Sequence, residues 1–354
     1  STINAALFND AYAHALVADT DIDLNAYRPA VLFINGEYWG LHEIREANKN
    51  SWYYQFHYDV DRENPGCDIV EFHKQGGQSV ARVDEGDAQH WNEMRQFLET
   101  HDMSAPENYA YIKTQMDVDN FIEYIGHAVY LSNWDWPNNN EASWRPRTPD
   151  GRWRWVLYDM ETSFGVATAL NPIYANLGAS FDMIHNLIYG TPIIGFGLYG
   201  PHPVLVKLLE NSDFKNAFAK WFYDNMKTRY VPANMTALLD DMAAEIEPYL
   251  PEYRERWPFV TSMNNDWNFH LDLIKTFAKE RPAYMTQHLI NEFGAETDVL
   301  DNRDSALPVQ FELAQNAPNP FNGSTIIEFV LPQSEFVSIK IYNIAGRNVE
   351  TLLD

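Results

Sequence analysis

The sequence predicts an α+β protein: a mostly helical body interrupted by short hairpins, followed by a β-patterned tail. Three observations lead there. Apolar residues recur at helical spacing through 117–131, 212–227 and 266–279. Asn35-Gly36 separates two apolar runs, and both residues of a tight two-residue hairpin turn must tolerate positive φ. From Pro308 onward the patterning changes to period two.

The elements follow in order. Ala5, Phe8, Tyr12 and Leu16 lie near one face of a helix over 2–18. A hairpin joins 30–34 to 37–46. The stretch 66–87 carries several glycines and little periodicity, and reads as loop with one short strand at 69–72. A helix over 88–100 comes next. Asp117 caps a strong helix over 117–131, in which Val118, Phe121, Ile122, Ile125, Ala128 and Val129 repeat at helical spacing. A second hairpin runs from 142–145 through the turn 149–151 to 153–158. A glycine-bearing loop is expected from Asp159 to about 202, and helices dominate from 204 to 293. The polar stretch 296–307 reads as a linker. Strands are expected at 325–331 and 337–342, with a third beginning at Asn348. The domains expected are therefore 1–295 and 308–354.

Composition narrows the function. The chain has 354 residues, 25 basic against 50 acidic, for a net charge of -25. Nucleic acid needs a basic face and is excluded as a partner. The charge serves solubility first, and local concentration of carboxylates for divalent metals second. Cys67 is the only cysteine, so neither an internal disulfide nor a cysteine zinc site is available. No run approaches the roughly 18 apolar residues of a membrane-spanning helix. The chain opens at Ser1 without a charged-then-apolar leader, as a trimmed protein or a fragment would.

The chemistry concentrates in Asn133-Trp-Asp-Trp-Pro-Asn-Asn-Asn140 and in Trp153 to Gly165. Asp135 stands five residues before Asn140. A hairpin follows, and Asp159 comes where its second strand ends. Phosphoryl transfer in protein kinases uses that order: a carboxylate that orients the hydroxyl, an Asn on metal, a hairpin, and an Asp on metal. Mg²⁺ takes oxygen ligands of these types. The spacing alone also fits a plain turn at 138–140 with Asx hydrogen bonds, and Asp135 and Asp159 as caps of backbone amides. Trp134, Trp136, Trp153 and Trp155 read as core packing rather than substrate stacking, and His42, His73 and His127 as ordinary hydrogen-bonded histidines.

Three ordered blocks, 27–46 (YRPAVLFINGEYWGLHEIRE), NWDWPNNN and WRWVLYDMETSFG, resemble the CotH family of secreted, atypical protein kinases. The resemblance runs from the start of the chain to about Phe293. It implies a reduced protein-kinase-like fold with a truncated N-lobe and a mostly helical C-lobe. It implies ATP and Mg²⁺ as cofactors and Ser or Thr hydroxyls of extracytoplasmic or surface proteins as acceptors. By carry-over Asp135 is the catalytic Asp, Asn140 and Asp159 are the metal residues, and Glu46 sits near the hinge, close to adenine. A weaker carry-over has Glu46 or Asp10 pairing with the nucleotide lysine. The family often has a second Asp two residues after the metal Asp, where this chain has Glu161. It places the nucleotide lysine upstream of the block matching 2–18, so that lysine is expected before residue 1, with Lys49 and Lys74 on the surface. A kinase fold kept without turnover, in a surface or coat structural protein, is the alternative, and a glycan-binding adhesin a third. The tail, with 316–322 (NAPNPFN), Phe329, 341–343 and Gly346, resembles the C-terminal sorting domain of the type IX secretion system. That implies a partial immunoglobulin-like β-sandwich, a bacterial secreted or cell-surface location, and the secretion machinery as a partner.

Overall fold

The structure, a computed structural model, describes residues 7–75, 78–137, 139–166, 178–193, 197–199, 201–258 and 267–294, and in the tail 312–313, 329–330, 338–342 and 347–353. The chain divides into two compact units, Ser1–Val299 and Leu300–Asp354. Helices and several small sheets make up the first, as an α+β chain requires.

Helix α1 (Asn9–Ala15) leads into the hairpin of β1 (Tyr27–Ile34) and β2 (Glu37–Arg45). Asn35 and Gly36 take φ of 54° and 84°, so both turn residues are left-handed as the hairpin twist demands. The two strands form a sheet of their own. Leu32, Phe33, Ile34 and Ile44 are exposed on it. The hairpin rests on the end of α10 (Leu250–Arg256) through Gly40, where a Cβ would meet the ring edges of Trp257 and Tyr253 at 3.0 and 3.2 Å. Trp257 donates its indole N–H to the Trp39 carbonyl at 2.7 Å, and the two rings meet edge to face at 5.4 Å.

Residues 66–87 depart from expectation. They form β3 (Cys67–Gln75) and β4 (Gln78–Glu85), paired throughout, rather than a loop with one short strand. β3 also pairs with β5 (Glu141–Pro146), which pairs with β6 (Arg154–Val156), giving the antiparallel order β4-β3-β5-β6. Alternation along these strands divides the side chains between two cores. Ile69, Ala142, Trp144 and Val156 pack with Tyr53 and Tyr54 of α2 (Ser51–Tyr58), and Trp144 stacks on Tyr54 at 3.8 Å. Val70, Trp153 and Trp155 enter the main core with Trp91 of α3 (Gln89–Thr100) and Phe121 of α5.

After α4 (Pro106–Gln115), α5 (Val118–Tyr130) is the central rod. The Asp117 carboxylate accepts the Asn120 N–H at 3.3 Å, as its position in the sequence anticipates. Nearly every residue of α5 is buried, as befits a helix wrapped on all sides. The expected loop 160–202 contains α6 (Met183–Tyr189) and the short pair β7 (Thr191–Ile193) and β8 (Gly197–Tyr199). Then come α7 (Pro203–Leu208), α8 (Ser212–Lys227), α9 (Pro232–Ile246), α10 and α11 (Trp267–Phe293). Helix α11 continues through Pro282 well beyond the expected 266–279. No helix among the described residues is long and apolar enough to cross a membrane.

In the second unit β9 (Glu312–Leu313) pairs with β10 (Phe329–Val330), and β11 (Ile339–Tyr342) with β12 (Asn348–Leu353). The linker 296–307 and the remainder of the strand expected at 325–331 lie outside the described residues.

Candidate active site

The end of α5 aims the loop that carries Asp135. Leu131 N–H bonds the His127 carbonyl at 3.0 Å, and Ser132 turns left-handed with φ of 55°. Asn133 N–H then reaches back to the Ala128 carbonyl at 3.0 Å, closing the helix. The fully buried Arg281 of α11 reinforces this end. Its guanidinium donates to the carbonyls of Val129 and Tyr130 at 2.7 and 2.8 Å, and to those of Ala179 and Phe181, both at 2.7 Å. Such charge-assisted bonds satisfy carbonyls that a helix end leaves open.

Within the loop, Asp135 is the acceptor at the centre. Asn139 and Asn140 each donate a side-chain amide hydrogen to its Oδ2, at 3.2 and 3.3 Å. Asn140 is buried and left-handed, with φ of 58°. Trp136 is buried behind the loop and donates its indole N–H to Tyr124 Oη at 2.7 Å. Trp134, Trp153 and Trp155 are buried as well, so all four tryptophans belong to the core.

The β6 strand ends at Val156, three residues short of Asp159. Asp159 has φ of 52°, a conformation that a non-glycine residue adopts only when its surroundings hold it there. Two side chains tie this turn to the Asp135 loop. Asn133 Nδ2 donates to the Asp159 carbonyl at 3.5 Å, and the Asp135 N–H donates to Thr162 Oγ1 at 3.4 Å. The Thr162 hydroxyl in turn donates to Asn133 Oδ1. Asp135 and Asn140 are thus in direct contact, and Asp159 is joined to them by a short hydrogen-bonded bridge.

Asp159 opens on two neighbouring cavities. One, of about 460 Å³, is lined by Leu7, Asp10, Leu41, His42, Glu43, Asp159, Glu161 and Tyr253. The other, of about 410 Å³, is lined by Asp10, Asn25, Glu43, Arg45, Ala47, Asn48, Lys49, Asn50, Tyr158 and Asp159. Asp135 and Asn140 line neither. Enclosure by the cleft, and then the negative charges of Glu161, Asp10 and Asp135, push the Asp159 carboxyl up to about 6 against the pull of Lys49. Burial pushes Glu43 up to about 7; Arg45 opposes this, while Asp10 and Glu161 add to it. Burial would also raise Asp10, but His14, Arg45 and the Met160 N–H hold it well below the usual carboxylate range. The cleft therefore carries more negative charge than its own cations neutralise, a condition that a bound cation relieves.

Among the described residues no three His, Cys, Asp or Glu side chains group as a metal cage. Mg²⁺ in phosphoryl-transfer sites typically takes one or two protein oxygens and fills its sphere with phosphate and water. The Asp159 carboxylate, which opens on both cavities, is an oxygen donor of that type, while Asn140 lines neither.

Lys49 corrects an expectation. It is not a free surface residue; it stands on the cleft wall, paired with the buried Glu71 and with its ammonium 3.4 Å from the Tyr158 ring centroid. Glu71 also takes Arg82 at 2.6 Å. The Lys74 side chain lies outside the described residues. Glu46 is turned onto His57 of α2 at 2.8 Å, and its backbone N–H and carbonyl bond Ala26 and Asn25. Its neighbours Arg45, Ala47, Asn48 and Lys49 form the cavity wall instead. Asp10, expected at most to meet a nucleotide lysine, is bound to Arg45 of β2. No sequence spacing announced the Lys49–Glu71 or Asp10–Arg45 pairs, because each joins segments far apart in the chain.

Asp135 and Asn140 in mutual contact, with the left-handed Asp159 opening on an acidic cleft, make up the site. The chain matches the family model described as CotH kinase protein over residues 2–285, most of its length, and it belongs to that family. A search of the curated proteins gave no match.

Proposed function

We propose that this chain is the body of a Mg²⁺-dependent kinase that transfers the ATP γ-phosphate to Ser or Thr hydroxyls of secreted or surface proteins. The observation that carries this reading is the Asn133–Thr162 bridge, which keeps the Asp135–Asn140 contact beside Asp159. Asp135 orients the acceptor hydroxyl and takes its proton, its Oδ2 end steadied by the two asparagine amides. Asn140 and Asp159 would hold Mg²⁺, which neutralises phosphate charge when bound. Arg45 and Lys49 supply positive charge along the cleft wall. The tail reads as a partial immunoglobulin-like sorting module that engages a type IX secretion machinery.

A second reading keeps the fold without turnover, as a surface or coat protein. It is favoured by the engagement of Lys49 with Glu71, since that lysine would have to leave its partner to hold phosphates. Calorimetric titration with Mg-ATP separates the two. Asp159→Asn is expected to abolish metal-dependent nucleotide binding. Asp135→Asn is expected to leave binding intact and lower turnover by roughly 10²–10⁴-fold. Equal loss of binding in both variants would show the roles to be misassigned, and no binding by the parent chain would favour the second reading.

A further inference from the structure

One carboxylate joins three separate parts of the cleft. Asp10, in the first turn of α1, accepts the Met160 N–H on Oδ1 at 2.6 Å. Met160 N–H belongs to the peptide that follows Asp159, the residue held at φ of 52°. The other oxygen of Asp10 is paired with Arg45, at the end of β2, and Arg45 also reaches Glu43 at 3.4 Å. One turn along α1, His14 Nε2 stands 3.4 Å from Asp10 Oδ1, while His14 Nδ1 accepts the Asn25 N–H at 3.1 Å. Asp10 lines both cavities on either side of Asp159.

A left-handed aspartate costs free energy and relaxes unless its neighbours hold it. The peptide that follows Asp159 is held at both ends: Asn133 Nδ2 donates to its carbonyl at 3.5 Å, and Asp10 accepts its Met160 N–H at the shorter 2.6 Å. Asp10 is itself held by a cation on the hairpin. The hairpin is otherwise attached through Gly40 against Tyr253 and Trp257, through the Trp257 and Arg256 bonds to the carbonyls of Trp39 and Tyr38, through Arg256 stacked over Trp39, and through Tyr27 and Leu41 packed on the main core.

We propose that Asp10 is a positioning residue for Asp159, and that Arg45 makes the seating of the β1–β2 hairpin part of that positioning. The proposal rests on the reading of Asp159 as a metal residue. Asp10 binds no metal in it. It fixes the peptide after Asp159, so that the carboxylate is already aimed when a cation and nucleotide arrive. Groups that orient a ligand in this way change metal affinity by about 10–100-fold when removed.

Two readouts on Asp10→Ala, Asp10→Asn and Arg45→Met test it: Mn²⁺ affinity with ATP present, followed by electron paramagnetic resonance, and hydrogen exchange of the Met160 amide without ligand. Asp10→Ala is expected to weaken Mn²⁺ by about 10–100-fold and to speed Met160 exchange by a similar factor. Asp10→Asn keeps an acceptor for the amide but loses the ion pair, and should fall between Asp10→Ala and the parent chain. Arg45→Met should speed exchange with Asp10 still present, by less than Asp10→Ala does. Unchanged Mn²⁺ affinity in a folded Asp10→Ala, or unchanged Met160 exchange in Arg45→Met, overturns the relay. If the parent chain itself takes up no Mn²⁺ with ATP, the kinase reading fails, and exchange alone then decides whether the Arg45–Asp10–Met160 linkage stands.

Discussion

The β1–β2 hairpin lines the cleft directly, whereas the α5–β5–β6 frame reaches it through the turn after β6 that carries Tyr158 and Asp159, and the two are built differently. The frame is buried almost throughout: α5 has little exposed surface, and Trp144, Trp153 and Trp155 are within 1% of fully buried. The hairpin is a two-stranded sheet with Leu32, Phe33, Ile34 and Ile44 in solvent. Two-stranded sheets have little stability of their own, so its position depends on Trp39, Gly40 and Arg45. Asp135, proposed to orient an acceptor hydroxyl, is on the loop that joins α5 to β5 of the frame. Of the charged groups that line the cleft, Glu43 and Arg45 are mounted on the hairpin, the element easiest to displace. That division suits a site in which one half is fixed and the other closes on its ligand.

The largest effect that would sharpen this contrast is expected at Arg281. Arg281→Met removes bonds to four buried carbonyls around the end of α5 and should cost about 3–5 kcal/mol of global stability. Ile44→Thr, at a position 62% exposed on the hairpin, should stay within about 0.5 kcal/mol. Urea titrations with unchanged slope give both numbers. Similar midpoints for the two variants would end the distinction between frame and hairpin.

The same substitution can be made on both sides. A Cβ on Gly126 of α5 would come within 2.4 Å of the Trp221 ring, so Gly126→Ala should overpack the α5–α8 contact by about 1–3 kcal/mol. Gly40 has φ of 136°, and a Cβ there would meet Trp257 Nε1 at 3.0 Å. Gly40→Ala should therefore strain the hairpin by about 1–2 kcal/mol. Gly126→Ala is expected to lower the global unfolding midpoint, whereas Gly40→Ala should mainly speed amide exchange in β1 and β2. Equal shifts of the global midpoint would mean that the hairpin unfolds together with the frame.

The sequence was read correctly where the signal is local. Asn35-Gly36 named its hairpin, and Asp117 and the spacing from Val118 to Val129 named α5. The order of Asp135, Asn140 and Asp159 picked out segments that the fold does place side by side. It failed where structure depends on distant pairing. The β3–β4 hairpin is partly local, closing at Gln75–Gln78, but β3 is also fixed by β5, at Ile69–Trp144 and Phe72–Glu141, more than sixty residues on. Lys49 looked like a surface residue because Glu71, its buried partner, lies across two turns of chain. Asp10 carries no motif, and its role appears only once α1, β2 and Met160 are brought together.

The last effect concerns α1, the element that connects the two regions. His127 of α5 is fully buried between them: its Nε2 lies 2.9 Å from the Ala13 carbonyl of α1, and its Nδ1 lies 2.6 Å from Tyr230 Oη. The neutral ring satisfies both, donating from Nε2 and accepting the tyrosine hydroxyl at Nδ1. Burial first, and then the positive charges of His14 and Arg229, push the His127 imidazole down to about 3 from the ordinary 6.5. The folded state therefore binds fewer protons than the unfolded state between those two values. Stability from this group is complete above pH 6.5, falls as pH drops, and levels off near 3. Between pH 7 and 5.5 the loss should be about 1 kcal/mol, approaching about 1.4 kcal/mol per pH unit at lower pH. To isolate this ring from all other groups, the measurement is a difference: stability of the parent chain minus that of His127→Gln, from pH 7.5 to 5. Glutamine can donate to Ala13 and accept from Tyr230 without titrating, so the difference should slope downward with acid. A flat difference would mean that the ring is not kept neutral between the Ala13 carbonyl and Tyr230.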